Sequence, residues 1–301
     1  MERRSQRAAA LAAYRAQALR PPACAGSVYP DAAVPLRRAL DGWLAPPPGP
    51  APRLARPPRL VVSPHIDYPR GARGYAHAAR ALAASDAELF VVFGTAHATP
   101  ARAFTLTRLD FGTPLGPVRT DRRAVDALVA ALGEEQLLAD ELLHQDEHSV
   151  ELQAVLLAHL VSRPFTVLPV LCSSLAHVVD PAALAAPFLA ALARAVAGRK
   201  TCFVAGADLA HVGPMYGDPR PPWPAELVAL AEEDLHTLDF VARGDAAGFH
   251  LDAVREDGRR RLCGTAPIYA ALRASGRAAR LLHYEQWSDG RDSVSFAAAA
   301  G

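Results

Sequence analysis

Neither sign of charge prevails in this chain of 301 residues: Lys and Arg total 32, Asp and Glu total 31, and the net charge is +1. That balance removes the non-specific attraction on which nucleic-acid binders rely, so no nucleic-acid partner is expected. Cysteine is scarce. Cys24, Cys172, Cys202 and Cys263 form no Cys-x-x-Cys pair, and their spacing fits neither a zinc knuckle nor a small disulfide framework. A reducing, cytoplasmic setting is the simplest expectation. Cys172 and Cys202 sit in apolar runs, where a thiol behaves as a small hydrophobe. Long apolar runs are missing too. The stretch 179–198 is rich in Ala and Leu, but Asp180, Pro181, Pro187 and Arg194 interrupt it. It reads as an amphipathic helix, and no membrane partner is expected. The basic N-terminus, MERRSQRAAALAAYRAQAL, lacks the continuous apolar core of a secretory signal. Its Glu2 and its shortage of Ser also set it apart from a transit peptide, so residues 1–22 are expected to be an exposed helical extension. No repeat of fixed period is present.

What the chain does have is apolar content of 51% against 21% charged residues, enough for a sizeable core. Proline is clustered. Pro21-Pro22 ends the first helix, PPPGPAPRLARPP (46–58) reads as a surface linker, and Pro214 to Pro224 marks a late loop. Between the first two, DAAVPLRRALDGWL (31–44) has helical periodicity, with Asp31 placed to cap it. Beyond residue 58, short β-rich runs alternate with helical stretches. The runs are RLVVS (59–63), ELFVVFGT (88–95), FTVLPVL (165–171) and TCFVAGA (201–207). The helical stretches cover 72–84, 121–132, 147–161 and 180–197. This pattern predicts an α/β domain with a mostly parallel central sheet flanked by helices. Two final runs, ARLLHYEQW (279–287) and SVSFAAA (293–299), flank a turn-rich SDGRD and suit antiparallel neighbours.

In open α/β sheets ligands bind beyond the carboxyl ends of the strands. Three of the runs end in a histidine there: His65 in Pro64-His65-Ile66-Asp67-Tyr68, His97 after Ala96, and His211 in Asp208-Leu209-Ala210-His211. One histidine at a strand end is ordinarily a hydrogen-bonded loop residue. Three on one rim point to a shared site, since imidazole is the commonest protein metal ligand. Asp67 and Asp208 can alternatively be helix N-caps. The segment Gln145-Asp146-Glu147-His148-Ser149-Val150-Glu151 opens an amphipathic helix. Its acids suit the helix dipole, and Glu147 and His148 are also candidates for proton transfer or for supporting a site. The order Glu-His-x-x-Glu is not that of the zinc proteases. Cys263 lies between Arg260-Arg261 and a helix start at Thr265 to Pro267, with Thr265 placed to cap it. A thiol so placed is expected to have a lowered pKa and to serve as a thiolate ligand or nucleophile, or else to be a buried loop thiol.

Taken in order, AGSVYP (25–30), SPHIDYPRGARGYAHAARAL (63–82), FGTAHA (93–98), TPLGPVRTD (113–121), DEHSVELQ (146–153), VLPVLCSS (167–174), GADLAHVGPMYG (206–217), LCGTAPI (262–268) and LHYEQWSD (282–289) resemble the motifs of the Memo family. That family is also called AmmeMemoRadiSam system protein B, and the likeness covers roughly residues 24–300. The resemblance implies one domain over 23–301 with a fold similar to class III extradiol dioxygenases. It implies a metal site whose ligands match His65, His97 and Cys263, with Asp208, His211 and the Glu147-His148 pair in the same pocket. It further implies Fe(II), or alternatively copper or zinc, and association with an AMMECR1-type protein and a radical-SAM protein. The sequence departs from the common pattern at Asp67, where Gly is usual, at Ala98 in place of a second His, and at Gly206-Ala207 in place of two Ser.

Two imidazoles and one anion are similar to the facial triad of non-haem iron oxygenases, but a thiolate is softer than the usual carboxylate and favours Cu(I), zinc or redox-active iron. The expected function is therefore metal-dependent oxidation of a small molecule. In this reading Asp208 and His211 act in proton transfer, and His148 with Glu147 is the alternative. Two other classes remain open. One is a peptide- or anion-binding module using Arg70, Arg73, Arg260 and Arg261. The other is a zinc-dependent hydrolase.

Overall fold

The β-rich runs become the parallel centre of one sheet. The computed structural model describes residues 2–45 and 56–301. Its strands are β1 (Leu60–Ser63), β2 (Leu89–Thr95), β3 (Phe104–Leu106), β4 (Thr166–Cys172), β5 (Thr201–Gly206), β6 (Asp208–Val212), β7 (Arg280–Ser288) and β8 (Ser293–Ala300). The helices are α1 (Glu2–Arg15), α2 (Ala33–Trp43), α3 (Tyr68–Ala84), α4 (Arg122–Leu132), α5 (Glu134–Leu137), α6 (His148–Leu160), α7 (Pro181–Ala195), α8 (Pro224–Arg243), α9 (Ala246–Ala253), α10 (Arg255–Gly258) and α11 (Thr265–Ser275). Among the described residues no helix is long and apolar enough to cross a membrane. Residues 46–55 of the expected Pro-rich linker lie outside the described residues.

The sheet runs β3-β4-β2-β5-β1-β8-β6, with β7 on β8. The four central strands are mutually parallel, with Val92 opposite both Pro169 and Val204. Both faces of β2 and β5 are buried, as continuous apolar strands require. Phe90, Val92 and Val204 face α3 and α6, while Val91, Phe93 and Phe203 face α7, α9 and α11. Chain order, covered faces and parallel pairing make this a single α/β domain, as expected. Pro169 sits in an interior strand without breaking it. Its missing N–H falls between the bridge of Val167 to Arg119 and Asp121 and the start of the β3 pairing at Val170.

Three features differ from the sequence expectation. Asp208 to His211, read as a loop after a strand, is itself strand β6, antiparallel to β8. Asp31 does not cap α2, which begins behind Ala32 with no side-chain cap. Thr265 does not cap α11 either: Gly264 holds the cap position, and Thr265 Oγ1 donates to Leu262 O at 2.7 Å.

Strand β8 explains where the site forms. Strand β7 pairs along its full length, so β1 and β6 share the opposite edge, β1 at Ala299–Ala300 and β6 at Ser293–Phe296. The carboxyl end of β1 therefore meets the start of β6, and the rim opens there into a cleft.

The N-terminal segment is tied to this frame. Helix α1 forms, Tyr14 on it is fully buried, and Arg15 Nε donates to Glu141 at 2.6 Å. Arg20 is also fully buried. Its guanidinium pairs with Glu151 on α6 and donates to His144 O at 2.7 Å and Glu147 O at 2.9 Å. Glu151 in turn accepts from Ala23 N at 3.0 Å, from Cys24 N at 2.9 Å and from the Tyr29 hydroxyl. Removing one member of a buried pair leaves the other charge without compensation, at a cost of about 3–5 kcal/mol. Glu151→Gln is therefore expected to lower the unfolding free energy by that order, read as a lower urea midpoint at unchanged slope. An unchanged midpoint would show that residues 20–29 are not anchored through this pair.

Candidate metal centre

The loop after β1 is fixed at every residue. Gln153 Nε2 donates to Pro64 O at 2.7 Å, His65 N donates to Asp208 Oδ1 at 2.9 Å, and the Tyr75 hydroxyl donates to Ile66 O at 2.8 Å. Asp67 is the N-cap of α3, accepting from Arg70 N at 3.0 Å, so it is a cap rather than a ligand. The result is a buried His65 whose Nδ1 bonds Gly206 O at 2.8 Å, leaving Nε2 with the free lone pair.

His97 follows β2. Its backbone N–H donates to Glu147 Oε2 at 2.9 Å, and its Nδ1 lies 3.0 Å from Glu147 Oε1. Glu147 is also the N-cap of α6, accepting from Ser149 N at 2.9 Å, and its Oε1 lies 3.3 Å from His148 Nδ1. Gly206 allows α6 to come this close: a Cβ there would sit 2.6 Å from Ser149 O. The rings of His97 and His148 stack at 4.6 Å, and His65 meets them edge-on at 5.1 and 5.3 Å. One ligand atom from each of the three lies within 4.8 Å of the others.

Cys263 reaches the same place from the other side. Its Sγ is 3.1 Å from His65 Nε2. A close approach positions it: Gly264 N donates to Asp208 O at 2.9 Å, and a Cβ on Gly264 would lie 2.3 Å from that oxygen. Thr95 Oγ1 donates to Cys263 O at 2.8 Å, so the end of β2 holds the cysteine loop as well.

Asp208 and His211 are three residues apart, and in a regular strand they would point to opposite faces. A register shift between them, with Ala210 N donating to Ser295 Oγ at 2.8 Å, turns both to one cavity of about 530 Å³. His65, His97, His148 and Cys263 line the same cavity. The seven expected site residues thus converge, with Glu147 directly behind His97 and His148.

The structure adds to two of the expected roles and corrects a third expectation. His148, read as a proton carrier, stands in the imidazole cluster beside His65 and His97. Asp208, expected to support His211, also holds the His65 backbone; its charge raises the His211 pKa against desolvation, while His211 Nδ1 pairs with Leu209 O at 3.0 Å. The Cys263 thiol is pushed up, not down, first by desolvation and then by the charges of Asp208 and Glu147. The arginines expected to lower it are engaged elsewhere. Arg260 is buried against Asp234 and Asp252, each at 3.0 Å, and Arg261 pairs with Asp218 at 2.6 Å. Of the four arginines considered for anion binding, Arg70 and Arg261 line the cavity. Arg260 is spent internally, and Arg73 lies 3.6 Å from Glu285.

Burial lowers the pKa of His65 to about 3 and that of His148 to about 4. For His97 desolvation is outweighed by the hydrogen bond and charge of Glu147, and its pKa is raised. Burial raises Asp208, and the His97 contact holds Glu147 well below the usual carboxylate range despite desolvation. At neutral pH His65 and His148 are neutral donors. In chelator-treated protein, NMR is expected to show their ring resonances unmoved between pH 7 and pH 5, while His97 titrates above 6.5. The unfolded chain binds protons at His65 and His148 more readily than the native one, so their contribution to stability falls as pH drops below 6.5 toward 4. His97 has the opposite sign: its contribution is present below 6.5 and is lost as pH rises through its raised pKa. Titration of all three near 6.5 would contradict this geometry.

The sequence profile of Memo-like proteins matches residues 20–300. A MEMO1 family protein of Methanosarcina mazei is 27% identical over 234 residues, 76% of this chain and 79% of its own length. A MEMO1 family protein of Methanopyrus kandleri is 30% identical over 203 residues, 65% of this chain and 70% of its own. Protein MEMO1 of Danio rerio is 25% identical over 300 residues, 92% of this chain and 95% of its own.

Proposed function

The chain belongs to the Memo family, and from that premise we propose that it is a metal-dependent redox enzyme acting on a small molecule in the cavity above His65, His97 and His148. The observation that carries this reading is the imidazole cluster, in which the Nδ1 atoms of His65 and His97 are hydrogen-bonded, that of His148 lies 3.3 Å from Glu147, and each ring offers a nitrogen within 4.8 Å of the others. Such outer hydrogen bonds fix the tautomer and direction of a metal-bound histidine. The donor set fits a first-row transition metal: three imidazoles, with the Cys263 sulfur beside His65. Fe(II) is the first candidate, and copper is the alternative. A bound iron or copper ion supplies one-electron chemistry at a site with room for substrate.

This chain's own residues do the rest. His65, His97 and His148 hold the ion, and Cys263 completes the set on the side of α11. His211 is the acid/base group: its Nδ1 is tied to Leu209 O, and burial lowers its pKa so that it is neutral at pH 7. Asp208 fixes the His65 backbone and adds negative charge behind the cluster. A zinc-dependent hydrolase is favoured by one specific feature, the three-histidine set itself, which zinc uses with water as fourth ligand.

Elemental analysis of anaerobically purified protein tests both readings. About one iron or copper ion per chain, lost in His97→Ala, is expected for the redox site, and stoichiometric zinc would favour the hydrolase. His148→Ala and Cys263→Ser separate the ligand sets: each is expected to lose metal if both donors bind it. Failure to bind Fe(II), Cu(I) or Zn(II) would overturn the metal reading. Glu147→Gln is expected to weaken metal affinity by about 10–100-fold, measured by competition with a chelator. Unchanged affinity would remove Glu147 from the support of His97.

A further inference from the structure

One arginine at the mouth of the cavity is held in place yet has free donors. Arg70 lines the cavity together with His65, His97 and His148. Its Nε donates to Asp67 Oδ2 at 2.5 Å, and Asp67 is fixed as the α3 cap. Its guanidinium lies over the indole of Trp287, 4.7 Å from the ring centre. The two contacts fix the plane and the roll of the guanidinium, while Nη1 and Nη2 make no hydrogen bond among the described residues. A stacked, braced guanidinium with an open edge of two N–H groups is the geometry that takes a carboxylate in two parallel hydrogen bonds. Little side-chain entropy remains to be lost on binding.

The other walls define the rest of the ligand. Val28, Ile66, Leu152 and Val294 give the cavity an apolar side, and Tyr216 stands edge-on to His211 at 5.0 Å. Tyr216 is placed there by a turn in which Gly213 has a φ of 120° and Met215 N donates to Asp292 Oδ1 at 2.8 Å. A volume of about 530 Å³ suits a single small molecule rather than a folded partner.

We propose that the cavity binds an organic carboxylate with an apolar or aromatic body, its carboxylate on the open edge of Arg70 and its body directed along the apolar wall toward the histidine cluster. This rests on the cavity being the substrate site. A monoanion fits better than a phosphate dianion. Asp67 already balances part of the Arg70 charge, Arg261 is paired with Asp218, and the Asp208 and Glu147 carboxylates stand behind the cluster.

The test uses three probes of one shape: phenylacetate, its neutral analogue phenylacetamide, and benzylphosphonate. Each is titrated calorimetrically into chelator-treated full-length protein. Phenylacetate is expected to bind at least about tenfold more tightly than phenylacetamide, as a charge-assisted pair allows. It is also expected to bind more tightly than benzylphosphonate. Arg70→Gln is expected to bring phenylacetate down to the amide's level. Arg70→Lys is expected to restore little, because a single ammonium lacks the two-pronged edge. Arg73→Gln is expected to leave binding unchanged. Equal binding of acid and amide, full binding by Arg70→Gln, or tighter binding of the phosphonate would each overturn the proposal. So would a preference for the acid that appears only after metal is added, since the carboxylate would then be on the ion. Because the measurement is made without metal, failure of the metal reading leaves these outcomes readable.

Discussion

One carboxylate holds the centre together. Glu147 closes the N-terminus of α6, receives the backbone N–H of His97, and lies against the Nδ1 atoms of both His97 and His148. Helix α6, the loop after β2 and two imidazoles therefore share one anion. Its own backbone carbonyl accepts from Arg20, whose charge is balanced by Glu151 one helical turn further on. The segment around residue 20 thus reaches the site through two buried carboxylates on one helix. A change at either acid has consequences beyond its immediate neighbours, because a buried group that loses its partner is costly in a low dielectric.

The second constraint is close approach. Strands β1 and β6 share one edge of β8, so the ends of β1, β2 and β5, the start of β6 and three helix N-termini crowd into the same rim. Side chains larger than hydrogen do not fit at Gly206, under α6, or at Gly264, against the β6 backbone. These two contacts bring His148 and Cys263 to opposite sides of His65. A bulge in β6 adds Asp208 and His211, which strand alternation alone would have separated. Geometry that local propensity disfavours is concentrated at this rim, as expected where a fold is shaped by a site.

Much of this was legible in the chain. The strands β1, β2, β4, β5, β7 and β8 and the helices between them follow from apolar runs, capping residues and prolines. His65, His97, Asp208 and His211 do converge, as the residues beyond the strand ends suggest, and Glu147, His148 and Cys263 join them, as the family resemblance implies. What local pattern could not carry was pairing. Asp208 to His211 looks like the tail of β5, and only its partner β8 makes it a strand. Strand β3 is three residues long and α8 follows a Pro-rich stretch, so neither stood out. Arg260 and Arg261 are next to Cys263 in sequence, and adjacency suggested a lowered thiol pKa. Their side chains are taken by Asp234, Asp252 and Asp218, all distant in the chain, and desolvation decides the sign. The place of His148 in the imidazole cluster was hidden for a similar reason: its ring is aimed by α6 docking over Gly206, a tertiary contact with no local signal.

The way charge is distributed also limits what the site can hold. Oxygen donors are present, but both buried carboxylates are occupied by backbone N–H groups: Glu147 by His97 and Ser149, Asp208 by His65. Turning Glu147 inward to bind an ion would strip its two donors and loosen the loop that carries His97 and the start of α6 that carries His148. The donors gathered at the cavity are imidazole nitrogens and one sulfur, with the Asp208 carboxylate beside them. Magnesium and calcium prefer several oxygen ligands, so this arrangement selects against them, while nitrogen and sulfur donors suit iron, copper and zinc. The negative charge behind the ring nitrogens still favours a cation in front of them, and burial keeps His65 and His148 free of protons that would compete for it. In the proposed metal centre the pinned Glu147 would thus favour a cation through the rings it holds, without touching the ion.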